Sequence, residues 1–373
     1  MKPPISPTKN EDKAWSTEPP AAVQNPVGSG DGLSARPSQR VSASGLRKLR
    51  YAVPLLLLGF LIAFCIGLYV GYQKLDLALL RHDTVARNVF FRLRLPRVIM
   101  AAIVGASLAS VGAALQSLFR NPLADPFTLG VSGGAALGAS LVIVLGLGAS
   151  VAGVPLIFLA AFAGSMLAVF VVYRLAHTGS VVLPGALLLS GIVMNLCASA
   201  GVLLLQYLSG SRQSLQILRW LMGSLDVVGF SLIWRVLIFL VPSWIALFAY
   251  ARDLHLLAIG EESAASLGVN VRRTERVIYV VSSLIVGVTV SVGGTIGFVG
   301  LIVPHIARLL FGQDVRVLLP TSFLLGAAFL VLADTLARVV VSPSELPVGV
   351  VTALAGGPVF LWLLRNRRRY SAL

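Results

Sequence analysis

Apolar runs of roughly 20 residues recur along most of this chain, separated by short stretches that carry Pro, Gly or charge. Because lipid offers the backbone no hydrogen-bond partner, such a run predicts a transmembrane helix. The runs are continuous rather than alternating, which argues against the short strands of a transmembrane barrel. The pattern therefore predicts an all-α, polytopic membrane protein with about ten transmembrane helices. The runs lie at residues 51–71, 97–118, 128–148, 152–174, 181–208, 229–250, 273–292, 296–311, 317–340 and 348–365.

The composition and the flanking charges agree with this pattern. Hydrophobic residues make up 57% of the chain and charged residues only 12%, against about 25% charged residues in a soluble domain. The net charge of +15 is attributed to basic flanks that hold loops at the cytoplasmic face, and no nucleic-acid partner is expected. An even number of spans then places both termini in the cytoplasm. The basic residues beside the first and last runs are Arg47, Lys48, Arg50, Arg365, Arg367, Arg368 and Arg369.

The first 50 residues differ from the rest of the chain. They are rich in Pro, Ser, Gly and charge and show no apolar periodicity, so residues 1–50 are predicted to form a disordered cytoplasmic tail. Residues 51–368 are predicted to form the transmembrane domain. The basic stretch GLRKLR before the first run resembles the start of a signal peptide. The run is long and lacks a clear cleavage site, which favours an uncleaved first span.

A charged, helix-prone stretch at residues 252–272 separates the sixth run from the seventh. Its apolar residues are too discontinuous to span a membrane, and Gly260 and Gly268 divide it into two short helices. The span count places it in the cytoplasm. Short helices with an apolar ridge and a charged rim suit docking into a groove on another protein. The alternative is a solvated connector between two spans.

The loop at residues 72–97 breaks the positive-inside rule. The span count makes it external, yet its acids are only Asp76 and Asp83. Either the topology is wrong there or an external cationic face has a use. Its basic residues are Lys74, Arg81, Arg87, Arg92, Arg94 and Arg97.

Several kinds of chemistry find no support in the sequence. All five lysines lie at or before Lys74 and none belongs to a phosphate-binding loop, so any ATP must be bound by another chain. Cys65 and Cys197 lie in apolar runs and are interpreted as small core residues. We expect no catalytic residues, no metal site and no cofactor bound by this chain, which is therefore not expected to be an enzyme.

The membrane interior offers little to an ion-coupled carrier. Away from the span ends, the only carboxylate within the predicted spans belongs to Asp334, which shares a helix face with Arg338 four residues later. This pair is either a structural ion pair or, together with His305, part of a proton pathway. One carboxylate and one histidine are few ionisable groups for a proton pathway across a membrane.

Small residues recur at helix-packing intervals and predict close contacts between helices. The cluster GGTIGFVG at residues 293–300 is expected to interrupt a helix. The spaced small residues are Gly105, Ala109, Ala113, Gly134 and Gly138.

Four longer motifs make the chain similar to a known family. In their order they resemble the permease subunit of the ABC importers for iron–siderophores, haem and cobalamin, the type II importers with ten helices per subunit. The resemblance covers about residues 51–368. The motifs are RLRLPRVIMAAIVGASLASVGAALQSLFRNPLADPFTLGVSGGAALGA at 92–139, GEESAASLGV at 260–269, GTIGFVGLIVPHIARLL at 294–310 and ADTLARVVVSPSELPVGVVTALAGGPVFLWLL at 333–364.

The resemblance implies roles for three groups of residues. External arginines would form salt bridges to acidic residues of a periplasmic binding protein, and Arg94, Arg97 and Arg338 match those positions. The loop after the fourth span, His177, Thr178, Gly179 and Ser180, is a candidate cytoplasmic gate. The cytoplasmic stretch would hold the coupling helices that dock onto the ATPase subunit, through Gly260, Glu261, Ala264, Leu267, Gly268 and Val269.

The resemblance also implies an assembly and a function. Two copies of the chain, a homodimer in a bacterial inner membrane, would form one pathway. Two ATPase subunits that use ATP and magnesium, and a periplasmic or lipid-anchored binding protein, would complete the importer. The cargo would be an iron chelate (a ferric siderophore or haem) or cobalamin, carried by alternating access. The alternative is a stand-alone ion-coupled carrier for a bulky metabolite, which would depend on Asp334.

Overall fold

The computed structural model describes residues 37–71, 83–178, 181–182, 184–341 and 344–370. The chain divides into two compact units, Met1–Val41 and Ser42–Leu373, and the contacts discussed below lie within the second. Apart from two short hairpins, the elements of the second unit are helices.

The described residues of the first half of the chain contain six helices and both hairpins. Residues Val89–Arg94 form a π-helical segment between α2 and α3, and Pro126–Leu129 form a 3₁₀ turn before α4. The elements are α1 Pro37–Tyr69, α2 Thr84–Asn88, α3 Leu95–Leu118, α4 Val131–Val144, β1 Ser150–Val151, β2 Val154–Pro155, α5 Leu156–Leu175, β3 His177–Thr178, β4 Val181–Val182 and α6 Pro184–Leu208.

The described residues of the second half contain eight helices. They are α7 Ser211–Leu221, α8 Ser231–Ala249, α9 Ala251–Ile259, α10 Glu261–Ser266, α11 Val271–Gly293, α12 Val299–Phe311, α13 Val315–Val339 and α14 Val348–Tyr370.

Among the described residues, seven helices are long and apolar enough to cross a membrane, and three further apolar helices are shorter. The chain is therefore a polytopic helical protein, as its pattern predicts. The ten predicted spans each coincide with one of these helices. The shorter ones lie at Val131–Val144, Val299–Phe311 and Val348–Leu361.

The structure corrects the sequence-based boundaries at two places. Helix α1 begins at Pro37, so residues 37–50, predicted as disordered, are helical; extending an existing helix adds a hydrogen bond per residue without a new nucleation step. The rest of the predicted tail, residues 1–36, lies outside the described residues. Helix α7 was not predicted, because its 11 residues are amphipathic and interrupt the apolar pattern.

Helix α3 lies at the centre of the second unit, and most of its residues are buried. Its close neighbours approach through glycines. A Cβ atom at Gly105 would lie 2.2 Å from the carbonyl oxygen of Gly326 on α13, and one at Gly112 would lie 1.9 Å from that of Gly300 on α12. The backbones are therefore in direct contact, which confirms the predicted role of Gly105 as a packing residue.

A second close approach joins α4 to α5. A Cβ atom at Gly134 would lie 2.3 Å from the Gly164 carbonyl oxygen, and one at Gly138 would lie 2.2 Å from that of Ala160. The predicted small-residue spacing on α4 thus marks a real helix–helix contact.

The glycine cluster does interrupt a helix, as predicted. Helix α11 ends at Gly293 and α12 begins at Val299. Gly294 has φ +68°, a left-handed conformation that glycine adopts without a steric penalty. Phe298 also has φ +68°, which is rare for a bulky residue.

The helices present two polar ends. The arginine end is defined by Arg94, Arg97 and Arg338. The coupling end, named for the role that the resemblance implies, is defined by Arg120 and helices α9 and α10. Each end gathers loops that the span count assigns to one side of the membrane.

Candidate functional site

The arginine end is organised around one buried carboxylate. The Asp334 side chain is fully buried and lies between two guanidinium groups. The Nε atom of Arg97 donates to its Oδ1 atom at 3.0 Å, and the Nε atom of Arg338 lies 3.0 Å from its Oδ2 atom. The predicted pairing of Asp334 with Arg338 across one helical turn is therefore present, and Arg97 joins it from α3.

Arg94 and Arg338 also hold the end of α1. The Nη1 atom of Arg94 donates to the Leu68 carbonyl oxygen at 3.0 Å, and the Nη2 atom of Arg338 donates to that of Gly67 at 2.9 Å. The last carbonyl groups of a helix lack partners within the helix, and cationic donors satisfy them well. Both arginines are buried, with 8% and 5% of their surface exposed. They therefore have a structural role in addition to any contact with a partner.

A cavity of about 350 Å³ opens at this end and is lined by all three predicted docking arginines. Two acidic residues share its wall. The Nη1 atom of Arg97 donates to Glu345 Oε2 at 2.5 Å and lies 3.7 Å from Asp226 Oδ1. Both carboxylates are well exposed, at 47% and 73%. The guanidinium of Arg97 thus connects the buried carboxylate to the solvent.

Sequence reasoning missed Asp226 and Glu345. Each is the only acid in its loop, and although Glu345 lies in the motif at 333–364, nothing in that motif assigns it a role. The only available signal was topological, because the span count places both loops on the same side as Arg97.

At the coupling end, helices α9 and α10 pack on the rest of the chain through one face. Leu254, Leu257 and Ala264 are buried, whereas Leu267 is 61% exposed. The predicted apolar ridge therefore divides into an inner half that anchors the helices and an outer half that remains accessible. Ile259, which is not among the predicted residues, is also exposed at 66%.

Gly268 and Gly260 shape this pair of helices. Gly268 has φ +84°, a left-handed conformation that ends α10. Gly260 is the extended residue between α9 and α10. The Val269 amide donates to the Ala264 carbonyl oxygen at 3.0 Å, which closes the turn. The sequence prediction of two short helices separated by Gly260 and ended by Gly268 is confirmed.

An ion pair connects this surface to the central helix. A guanidinium nitrogen of Arg120 donates to Glu261, the first residue of α10. Arg120 follows the end of α3 and has φ +48°, so the chain turns sharply there. Arg120 was not among the predicted coupling residues.

Two titratable groups near the coupling end are shifted by their surroundings. Burial lowers the pKa of His255, although Asp314 Oδ1 lies 3.7 Å from its Nδ1 atom. Burial raises the pKa of Asp125 to about 6. The Asp125 carboxylate caps the 3₁₀ turn by accepting a hydrogen bond from the Phe127 amide at 3.2 Å.

The predicted gate loop forms a hairpin. His177 pairs with Val182 and Thr178 with Val181. Gly179 and Ser180, the other two predicted gate residues, lie outside the described residues. The gate role of this loop stays a prediction.

Among the described residues, the acids, histidines and cysteines form no group of three or more that could hold a metal ion. Cys65 and Cys197 are exposed on the surface of the single chain. Their interpretation as core residues is therefore wrong. Their apolar surroundings in sequence reflect helix surfaces that are free to contact lipid or a second copy.

Known proteins that are similar to this chain are transport proteins. The sequence model described as the FecCD transport family matches residues 55–366. The chain is 40% identical to the hemin transport system permease protein HmuU of Yersinia pestis, over 84% of this chain and 97% of that protein. It is 46% identical to the cobalamin import system permease protein BtuC of Halobacterium salinarum, over 76% of this chain and 74% of that protein.

The fold is also found among solved structures. One of them, described as an inward-facing conformation of a metal-chelate type ABC transporter, superposes with a TM-score of 0.74 at 32% sequence identity. The match covers 85% of this chain and 99% of that one.

Proposed function

Because this chain belongs to the FecCD transport family, the permease subunits of the ABC importers for iron–siderophores, haem and cobalamin, we propose that it forms the membrane pathway through which such an importer moves its cargo. The observation that carries the proposal is the match of the family to residues 55–366. The chain itself is a multi-pass transport component. We place it in the inner membrane, with ATP and magnesium used by a partner ATPase and no cofactor bound by this chain.

The coupling surface would lie on α9 and α10. Ala264 anchors α10 in the core, while Leu267 and Ile259 present apolar surface to solvent next to the charged Glu261. Such an arrangement suits a short helix that inserts into a groove on another protein. Gly260, Gly268 and Val269 would set the geometry of this surface rather than make the main contacts. The proposed occupant is the ATPase subunit.

The binding protein would dock at the arginine end. An acidic side chain that enters the 350 Å³ cavity would meet Arg94, Arg97 and Arg338 in its wall. It would have to compete for Arg97 with Glu345 and Asp226, whose exposed carboxylates are free to move away. Docking is therefore proposed as an exchange of ion pairs, in which Arg97 replaces an internal acid by one from the partner.

The assembly is proposed to be a homodimer. Only 22% of the apolar segment of α6 and 28% of those of α5 and α8 are buried inside the single chain, against 89% for the segment that includes α3. The less covered helices supply the surface that a second copy and the lipid would occupy. Between two copies they would line a pathway that opens alternately to each side, with the β3–β4 hairpin as the proposed cytoplasmic gate.

The stand-alone carrier gains no support from the geometry at Asp334. A coupling carboxylate has to exchange a cation or a proton during the cycle, whereas Asp334 is fully buried between Arg97 and Arg338.

The proposal is tested by reconstitution. The permease, its ATPase and its binding protein would be placed in proteoliposomes, and uptake of ferric siderophores, haem and cobalamin would be measured. We expect uptake that requires both ATP and the binding protein. Uptake that proceeds without the ATPase subunit, or that stops when an ion gradient is collapsed at constant ATP, would overturn the proposal.

A matched pair of variants tests the coupling surface. Leu267→Asp should abolish ATPase binding while the permease still folds, because Leu267 is 61% exposed. Val85→Asp serves as a control, since Val85 is 66% exposed at the opposite, arginine end. If both variants bind the ATPase subunit as well as the parent chain does, Leu267 has no role in that contact.

A further inference from the structure

A second and larger cavity lies at the arginine end. Its volume is about 680 Å³, within the range of about 300–1,000 Å³ typical of small-molecule sites. Helix α7, the end of α4 and the start of α5 form its walls. Polar and aromatic side chains on or just after α7 line one side: Arg212, Gln213, Gln216, Arg219, Trp220 and Ser224.

The charges in this cavity are of one sign. Arg212, Gln216 and Arg219 follow each other at intervals of four and three residues, which puts them on one face of α7. The cavity lining contains no carboxylate. Among the described residues, no acid lies within ion-pairing distance of Arg212 or Arg219, and both arginines are exposed. The cavity therefore presents two guanidinium groups for which the described part of the chain provides no counter-charge.

The position of the cavity connects it to the proposed docking site. Ser224 lines this cavity, and two residues later Asp226 lines the cavity that contains Arg97. The Ser224 amide donates to the Gly293 carbonyl oxygen at 3.0 Å, which fixes this short segment against the end of α11. A molecule released by a protein docked at the arginine cluster would thus find the α7 cavity directly beside it.

We propose that the α7 cavity receives the carboxylate groups of the cargo, so that the transported chelate is an anionic, carboxylate-bearing iron chelate. This inference rests on the proposed function and narrows its cargo. Guanidinium groups bind carboxylates through paired hydrogen bonds. The amides of Gln213 and Gln216 add further donors, and the Trp220 ring offers an aromatic surface. A cargo without carboxylates would leave both arginines without a partner.

The test uses the importer complex, with its ATPase subunits, in nanodiscs of uncharged phosphatidylcholine. Its probes are haem and haem dimethyl ester, which share a ring but differ in the two carboxylates. Equilibrium dialysis would give both dissociation constants. We expect tighter binding of haem, by about tenfold, as two partly solvated charge-assisted contacts would give. Ferric citrate would show whether carboxylates without a macrocycle compete for the site.

Two double variants locate the effect. Arg212→Gln with Arg219→Gln should bind haem and its ester equally. Arg87→Gln with Arg92→Gln removes the same charge from exposed residues of the same end, outside the cavity lining, and should keep the preference for haem. A loss of preference in this control pair would show a general field effect and overturn the inference.

Three other outcomes would also overturn it. The first is equal binding of haem and its ester by the parent complex. The second is an unchanged preference for haem in the double variant of Arg212 and Arg219. The third is loss of the preference when anionic phosphatidylglycerol is added, because the arginines would then bind lipid headgroups. Uptake in the reconstituted importer distinguishes a failure of this inference from a failure of the proposed function. ATP-dependent and binding-protein-dependent uptake of cobalamin alone would contradict the inference and leave the proposed function standing, whereas uptake that needs neither would contradict the function itself.

Discussion

The Nε atom of Arg97 donates to Asp334 Oδ1 at 3.0 Å, although the two residues are 237 positions apart in the chain. This contact joins the start of α3 to the end of α13, and Arg338 completes it from the other side of the carboxylate. The fully buried side chain of Asp334 is thus a partner that Arg97 and Arg338 share.

Loss of this buried charge should destabilise the chain strongly. Asp334→Asn leaves Arg97 and Arg338 without their shared counter-charge, and we expect a loss of about 3–5 kcal/mol in the free energy of unfolding. Thermal unfolding of the purified protein in detergent measures it. Asp226→Asn is the matched control, because its carboxylate is 73% exposed and 3.7 Å from Arg97; it should change stability by less than about 1 kcal/mol. Similar losses for both variants would refute the central role of Asp334.

The glycine contacts of α3 should tolerate no added methyl group. In Gly112→Ala the new Cβ atom would lie 1.9 Å from the Gly300 carbonyl oxygen, so α3 and α12 would have to separate, at a cost of about 1–3 kcal/mol. Gly59→Ala is the control, since nothing lies within 4 Å of its added Cβ atom. We expect a lower unfolding temperature for the first variant and no decrease for the second. An unchanged temperature for Gly112→Ala would show that the contact is loose.

Alanine and asparagine should have different effects when they replace Gly268 in the turn after α10. Gly268 has φ +84° and open space around it, so the penalty of a side chain there is conformational rather than steric. Gly268→Ala should strain the turn by about 1–2 kcal/mol, whereas asparagine enters the left-handed region more readily. The ratio of ATP hydrolysed to cargo imported should rise more in Gly268→Ala than in Gly268→Asn. Equal ratios would show that the turn geometry does not matter for coupling.

The exposed ion pair of Arg120 and Glu261 should affect coupling more than stability. Each partner is about half exposed, and such pairs contribute roughly 0–1 kcal/mol. Arg120→Glu should misalign α10 and reduce uptake while ATP hydrolysis continues. Adding Glu261→Arg restores opposite charges and should recover part of the uptake. If the double variant is no better than the single one, the ion pair is not what orients α10.

Stability should depend on pH through Asp125. Burial raises its pKa from 3.8 to about 6, so the folded chain holds this proton more tightly than the unfolded chain does. The resulting stabilisation is complete below about pH 4 and is lost as the pH rises through about 6. Asp125→Asn keeps a capping oxygen and removes the titration. Its unfolding temperature should exceed that of the parent above pH 6 and vary less between pH 4 and 7. Parallel pH profiles for the two proteins would contradict this assignment.

The sequence predicts the apolar helices well, because a lipid-spanning run is continuous and long. It also predicts the pairing of Asp334 with Arg338, which depends only on helix geometry. The partner from α3 could not be found in this way. Arg97 reaches Asp334 through the packing of two helices far apart in the chain, and no local pattern encodes that contact.

Helices α9 and α10 were predicted in outline and not in detail. Glycine positions mark their ends because the left-handed turn at Gly268 is a local requirement. Which apolar residues face inward is a tertiary property. Ala264 and Leu267 are both apolar and three residues apart, yet one is buried and the other exposed. Helix α7 was missed for a related reason, since its amphipathic sequence is too short and too polar to register as a span.

The glycine contacts around α3 have a mechanical consequence. Where two backbones touch, there are no side chains that can repack to absorb a displacement, so α3, α12 and α13 behave as one stiff block. Arg97 at one end of α3 and Arg120 just beyond the other end therefore belong to one rigid unit, which extends from the arginine end to the coupling end. Any hinge within this unit therefore has to lie outside that block.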